Sequence, residues 1–308
     1  MDKKIDFGWL LPTGKQRMPP KGNAYEKYVR QVLDRISGLF HSAWMPDHLM
    51  NGQQEIPEAL VTLSYLAGLY PQLHFGAVVL AQSYRNPALL AKMASSLQQL
   101  SGSRFIMGIG AGWKEDEYRA YGYDFPKPAV RIAQMAEAVQ ICQAMWDPEQ
   151  PTATFNGRYY QIDKVICQPK PDPAPPIMIG GGGEKLTLRV VAQIADWWNL
   201  PGVTVKEYAR KLSILEGHCQ EIGRDPNEIR KTWAGVVSIA PTQAEAELQM
   251  ANYDIWPGDS PLLGTPKDIR RQLQGYIDLG VSLFILSFAD EPQHDGLTLF
   301  LKEIAEHK

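Results

Sequence analysis

Eight apolar runs of strand length recur along this chain, and nearly every one leads into a segment of helical periodicity. They are Lys4–Leu11, Leu39–Met45, His74–Ala81, Arg104–Gly110, Pro175–Gly180, Ala195–Leu200, Lys231–Ala240 and Ser282–Phe288. Several are apolar without alternation, the pattern of parallel strands covered on both faces. An α/β fold closed as one (β/α)8 TIM barrel accounts for that order better than two open sheets. No long linker or composition break interrupts the 308 residues, so the expectation is a single domain over 1–308. Residues 130–146 carry Ile132, Met135, Val139, Cys142 and Trp146 on one helical stripe. Between Thr152 and Pro169 the pattern alternates around Asn156-Gly157, which predicts a β-hairpin inserted into the barrel.

Composition excludes several functions. A net charge of −3 argues against a nucleic-acid surface, which needs clustered Lys and Arg. No apolar run is long enough to span a bilayer, and the N-terminal apolar stretch stops at Pro12, so neither a membrane anchor nor a signal peptide is expected. Cys142, Cys167 and Cys219 are odd in number and lack a CxxC pair, which suits reduced thiols in a cytoplasmic protein. There is no H-x-H or H-E-x-x-H, so no metal site is expected.

In a TIM barrel the chemistry gathers at the carboxyl ends of the strands. The fifth predicted strand ends in Gly180, Gly181, Gly182 and Gly183, followed by a predicted helix over Glu184–Ile194. Bare amides beside a helix N-terminus make an anion site, usually for phosphate, against the plainer reading of a flexible loop. Neither a Walker motif nor a dinucleotide fingerprint is present. Gly108–Trp113, GIGAGW, is a second glycine cluster; its small residues either seat a flat ring or form a tight turn capped by Glu115, Asp116 and Glu117. Together the two clusters favour an extended phosphorylated cofactor across the barrel mouth. His48 ends the second strand and is the histidine placed to exchange a proton at neutral pH, the alternative being a loop-holding hydrogen bond. Asp47 beside it either orients His48 or holds a ring substituent. Trp9, Trp44, Trp113, Trp197 and Trp198 are expected in or near the upper barrel, divided between packing and walling a flat, apolar site. The stretch 254–264, with Trp256, Pro257 and Pro261, is a candidate lid.

Four segments carry a family resemblance: SAWMPDH (Ser42–His48), YRNPALLAKMA (Tyr84–Ala94), the Ser101–Gly122 stretch around GIGAGW, and Pro176–Asn199 around the glycine run. Through them the chain resembles the bacterial luciferase-like monooxygenase superfamily, most closely its F420-dependent oxidoreductase branch. The resemblance implies a TIM barrel with insertions, often a homodimer, that holds a reduced deazaflavin or flavin at the strand ends. It implies a non-proline cis peptide among Ala77, Val78 and Val79 that backs the ring. It also implies ribityl and phosphate contacts from Ser83, Gly110, Ala111, Gly112 and Gly180–Gly183, with ring contacts and a catalytic histidine at Asp47-His48. Two departures matter. Trp113 stands where the family's sugar-phosphate dehydrogenases carry a glutamate, so their acid–base scheme does not transfer. The arginine- and histidine-rich flavin site of the alkanesulfonate branch is not evident, which favours F420 over FMN.

The expected activity is hydride transfer between F420 and a small organic substrate, with His48 moving the matching proton. The rival readings are an FMN-dependent monooxygenase, a catalytically silent cofactor-binding paralogue, and a barrel that binds a sugar phosphate without redox chemistry.

Overall fold

The structure, a computed structural model, describes residues 4–13, 24–52, 54–255 and 258–307. Trp256 and Pro257 of the candidate lid lie outside them. Twelve strands are found among the described residues: β1 (Asp6–Leu10), β2 (Ser42–Met45), β3 (His74–Ala77), β4 (Leu80–Ala81), β5 (Phe105–Gly110), β6 (Ala153–Asn156), β7 (Gln161–Val165), β8 (Ile177–Gly180), β9 (Trp197–Pro201), β10 (Arg230–Ile239), β11 (Leu262–Gly264) and β12 (Val281–Phe288). The helices that matter below are α2 (Ala59–Leu69), α3 (Pro87–Leu100), α4 (Glu115–Ala120), α5 (Pro128–Trp146), α6 (Thr187–Ile194) and α7 (Val205–Glu221).

The ladder runs β12-β1-β2-β3-β5-β8-β9 and closes where β9 pairs with β10, which in turn pairs with β12; all of these pairings are parallel. The expected eight-stranded barrel is therefore present, with every barrel strand aiming its carboxyl end at one rim. Its interior is a small apolar cluster of Trp44, Ile106, Met178, Ala234, Leu283 and Ile285. Trp44 is the largest member, and its indole donates to Ser42 Oγ at 2.7 Å. Glycines on the two flanking strands make its space: a Cβ on Gly8 or Gly76 would lie 2.5 or 2.3 Å from the indole. The main core lies outside the barrel, between strands and helices, where α5 buries Met135, Val139, Cys142 and Trp146 and ties to α3 through Trp146 Nε1 and the Ala91 carbonyl, 2.9 Å. All three cysteines are free and buried. Among the described residues no helix is long and apolar enough to cross a membrane.

Several sequence expectations shift. The run His74–Ala81 is two strands, because a cis peptide joins Val78 to Val79 and the chain turns there from β2 toward β5. The hairpin forms, but Asn156 pairs with Gln161, so its loop spans residues 157–160 rather than two residues. Glu137 on α5 shapes that loop by accepting from the amides of Arg158, Tyr159 and Tyr160 at 2.8–2.9 Å. The helix after the glycine run begins at Thr187, not Glu184. Trp197 opens β9 and lies under the Arg230 guanidinium at the amino-end rim, opposite the mouth, while Trp9, Trp44 and Trp198 are wholly buried. Of the five tryptophans expected near the mouth, only Trp113 lines it.

Candidate active site

A cleft of about 860 Å³ opens at the carboxyl-end rim. It gathers Asp47, His48, Val78, Val79, Gly110–Gly112 and Gly180–Gly183, residues that the sequence places on four different strand ends. Two expected residues stand behind the wall instead. Ala77 is fully buried, its carbonyl packed against Gly108. The hydroxyl of Ser83 accepts from Gln82 Nε2, and Ser83 does not line the cleft.

The glycine run faces the mouth. Gly181 adopts φ +121°, a conformation that L side chains rarely adopt, and donates to the Asn199 carbonyl at 3.0 Å. Part of the glycine requirement is internal, since a Cβ on Gly180 would sit 2.8 Å from Val79 Cγ1. Among the described residues the amides of Gly182 and Gly183 meet no acceptor, so two donors remain at the cleft. Behind them Glu184 Oε1 takes Arg210 and Lys211 at 2.7 and 2.8 Å, and these bonds hold its carboxyl at about 2.

His48 is oriented by Glu117, a residue that reads in the sequence only as an acid opening a helical turn. His48 Nδ1 lies 2.9 Å from Glu117 Oε1, which also accepts from Lys114 Nζ at 3.0 Å. Glu117 Oε2 accepts from the Tyr84 hydroxyl at 2.8 Å. The Glu117 side chain is 1% exposed, and that burial works to raise its pKa. The bond and charge of His48, with the bonds from Lys114 and Tyr84, outweigh it and bring the carboxyl down to about 2. An ionised Glu117 can only accept, so Nδ1 carries a proton and Nε2 is the atom left for chemistry. Among the described residues Nε2 has no partner. The ring meets Trp113 edge-on at 5.7 Å, and Trp113 is 55% exposed at the rim.

Asp47 does not orient His48. Its carboxylate takes the Arg85 guanidinium bidentately at 2.8 Å and the Ala81 amide at 2.9 Å. Arg85 also donates to Glu58, whose other oxygen caps α2 at the Val61 amide. Asp47 thus clamps the Val78-Val79 turn to the ends of β2 and α2. At the end of β12 the Ser287 hydroxyl is buried, lines the cleft and has no hydrogen-bond partner among the described residues.

With a flat apolar seat, bare amides and an unpartnered hydroxyl at one mouth, the site suits a planar ring cofactor with carbonyls and an anionic arm. The fold and sequence fall in a known class: the chain belongs to the luciferase-like monooxygenase family, whose profile matches residues 5–259. It is 33% identical over 300 residues to an F420-dependent glucose-6-phosphate dehydrogenase of Kineococcus radiotolerans, covering 85% of this chain and 87% of that one. In three dimensions it superposes on an F420-dependent secondary alcohol dehydrogenase in complex with an F420-acetone adduct, with TM-score 0.81, 18% identity and 99% of both chains covered. It also superposes on a riboflavin lyase with modified FMN and riboflavin, with TM-score 0.81, 14% identity and 99% and 91% coverage.

The depressed Glu117 carboxyl has a consequence for acid stability. Its native pKa lies below the unfolded value of about 4.3, so its contribution is complete above that value and is lost as pH falls through about 2. Glu117→Gln should lower stability at pH 7 by roughly 1–3 kcal/mol. Denaturant titrations should show the gap between wild type and variant closing from about pH 4.3 toward pH 2. A gap independent of pH would contradict the assignment.

Proposed function

We propose that this protein is an F420-dependent oxidoreductase that moves a hydride between the deazaflavin and a small organic substrate, with His48 as its proton-transfer residue. The observation that carries the reading is the His48–Glu117 pair: a buried ionised carboxylate fixes Nδ1 and leaves Nε2 on the wall of the cleft. The relationship to an F420-dependent dehydrogenase supplies the choice of cofactor.

When bound, the deazaflavin supplies or takes up the hydride. The chain does the rest. Val78 and Val79 form the seat, with Ala77 and Ser83 as its backing. Gly110, Ala111 and Gly112 let the ring and ribityl chain approach the backbone, while the free amides of Gly182 and Gly183 hold the phosphate. Asp47, at the cleft wall, would hold the ring's seat in place through Arg85 and the Ala81 amide. Trp113 shields the reacting face from water. His48 Nε2 gives or removes the proton at the substrate oxygen. FMN is the second reading, favoured by the same bare amides and by the FMN-bound neighbour of this fold. We place the whole chain, as one luciferase-like unit, in the cytoplasm as a homodimer. The exposed stripe Val61, Tyr65 and Leu69 on α2 supports the pairing.

Fluorescence titration should give tight binding of F420 and weaker binding of FMN; the reverse order would transfer the chain to the flavin monooxygenases. With F420 bound, His48→Ala should cut kcat by about 100-fold or more while leaving the F420 Kd within a few-fold. Equal loss of both would make His48 a binding residue. Sedimentation should report a dimer that Val61→Glu dissociates, and a monomeric wild type would remove the pairing.

A further inference from the structure

Among the described residues two lysine or arginine side chains line the cleft, and only one of them has its charge matched. Lys114 is paired with Glu117 at 3.0 Å and Asp116 at 3.6 Å. Arg131 is 6% exposed and meets no carboxylate among the described residues. Its guanidinium lies over the Phe125 ring at 3.8 Å, and Nη1 donates to the Pro126 carbonyl. Nε is buried and has no hydrogen-bond partner among the described residues. Burying a cation against a ring and one carbonyl, with a donor left empty, is costly unless an anion completes the site.

The surroundings sharpen this. Arg131 stands in the first turns of the nineteen-residue α5, where the helix dipole is positive and a cation is disfavoured. No acidic residue occupies that first turn. The α5 N-terminus, with Pro128, Arg131 and Ile132 lining the cleft, therefore brings both dipole and guanidinium charge to its wall.

We propose that Arg131 is an oxyanion anchor that binds a phosphate or carboxylate group of the cleft's ligand. The inference rests on the cleft being the ligand site assigned above. It adds a charged contact to the bare amides of the glycine run. The planar fork of arginine suits a bidentate oxyanion, and stacking on Phe125 holds the fork in plane. The anion belongs either to the phosphorylated side arm of the cofactor or to an acidic substrate.

The test uses the full chain, as wild type, Arg131→Met and Arg131→Lys. Each is titrated with F420 and with the phosphate-free deazaflavin riboside, and is melted with and without inorganic phosphate. If the cofactor arm supplies the anion, Arg131→Met weakens F420 by about 10- to 100-fold, leaves the riboside unchanged, and Arg131→Lys recovers part of the loss. If the substrate supplies it, F420 affinity is unchanged, but the thermal protection given by phosphate to wild type is lost in Arg131→Met. Equal weakening of F420 and the riboside reduces Arg131 to packing and overturns the proposal. Unchanged F420 binding together with unchanged phosphate protection overturns it too. A wild type that binds neither deazaflavin sinks the redox reading, while the phosphate arm still decides Arg131. Arg131→Gln replaces the methionine variant if that one fails to fold.

Discussion

Because Arg230–Ala234 pairs with Trp197–Pro201, the two ends of the parallel sheet are joined and no barrel edge is left open. Closure of a parallel ladder sends every carboxyl end to the same rim. Residues as distant in sequence as Asp47, Gly110, Gly180 and Ser287 therefore meet around one cleft. The interior cannot serve as a channel, since Trp44 and its aliphatic neighbours fill it. Ligand chemistry is confined to the mouth, and the details of that mouth decide the function.

Electrostatics at the mouth is arranged in separate compartments. Glu117 gathers His48, Lys114 and Tyr84 into a buried knot that orients a single imidazole. Asp47 and Glu58 neutralise Arg85 and brace the turn at Val78-Val79. Glu184 absorbs Arg210 and Lys211 behind the glycine run. These four carboxylates are committed to the protein's own cations, which leaves the bare amides, the Ser287 hydroxyl and the Arg131 guanidinium to meet a ligand's oxygens, while Asp254 and Asp259 also line the cleft. Amides, a hydroxyl and a guanidinium suit anionic and carbonyl oxygens, in keeping with a ring cofactor bearing an acidic arm.

Much of this was legible in the sequence, for identifiable reasons. Strands covered on both faces leave uninterrupted apolar runs, so the barrel could be counted from Lys4 to Phe288. Glycines after such runs mark places where backbone comes close to something, and Gly110, Gly112 and the Gly180–Gly183 run do reach the cleft. Contacts between distant segments were not legible. Glu117 looks like an ordinary acid in a helix's first turn, and its burial depends on His48, 69 residues away, and Tyr84, 33 away. Asp47 adjoins His48 in sequence, yet its partner Arg85 lies 38 positions on. Trp197 was misplaced because β9 begins at it rather than at Ala195, a boundary that an apolar run does not mark, and the first residue of a parallel strand lies at the amino-end rim. The hairpin loop was lengthened by Glu137, a side chain from another element.

Above Ala234, β10 no longer pairs with β9; its last three residues pair with Leu262–Gly264 of β11 instead. At the level of the cleft this side of the mouth is therefore walled by irregular chain, including Tyr253, Ile255 and Asp259. The bonds that close the barrel lie below that panel, so its length and composition can drift without loosening the closure beneath. What this side of the mouth admits can thus be altered by exchanging one panel, with the closure and the His48–Glu117 pair left in place.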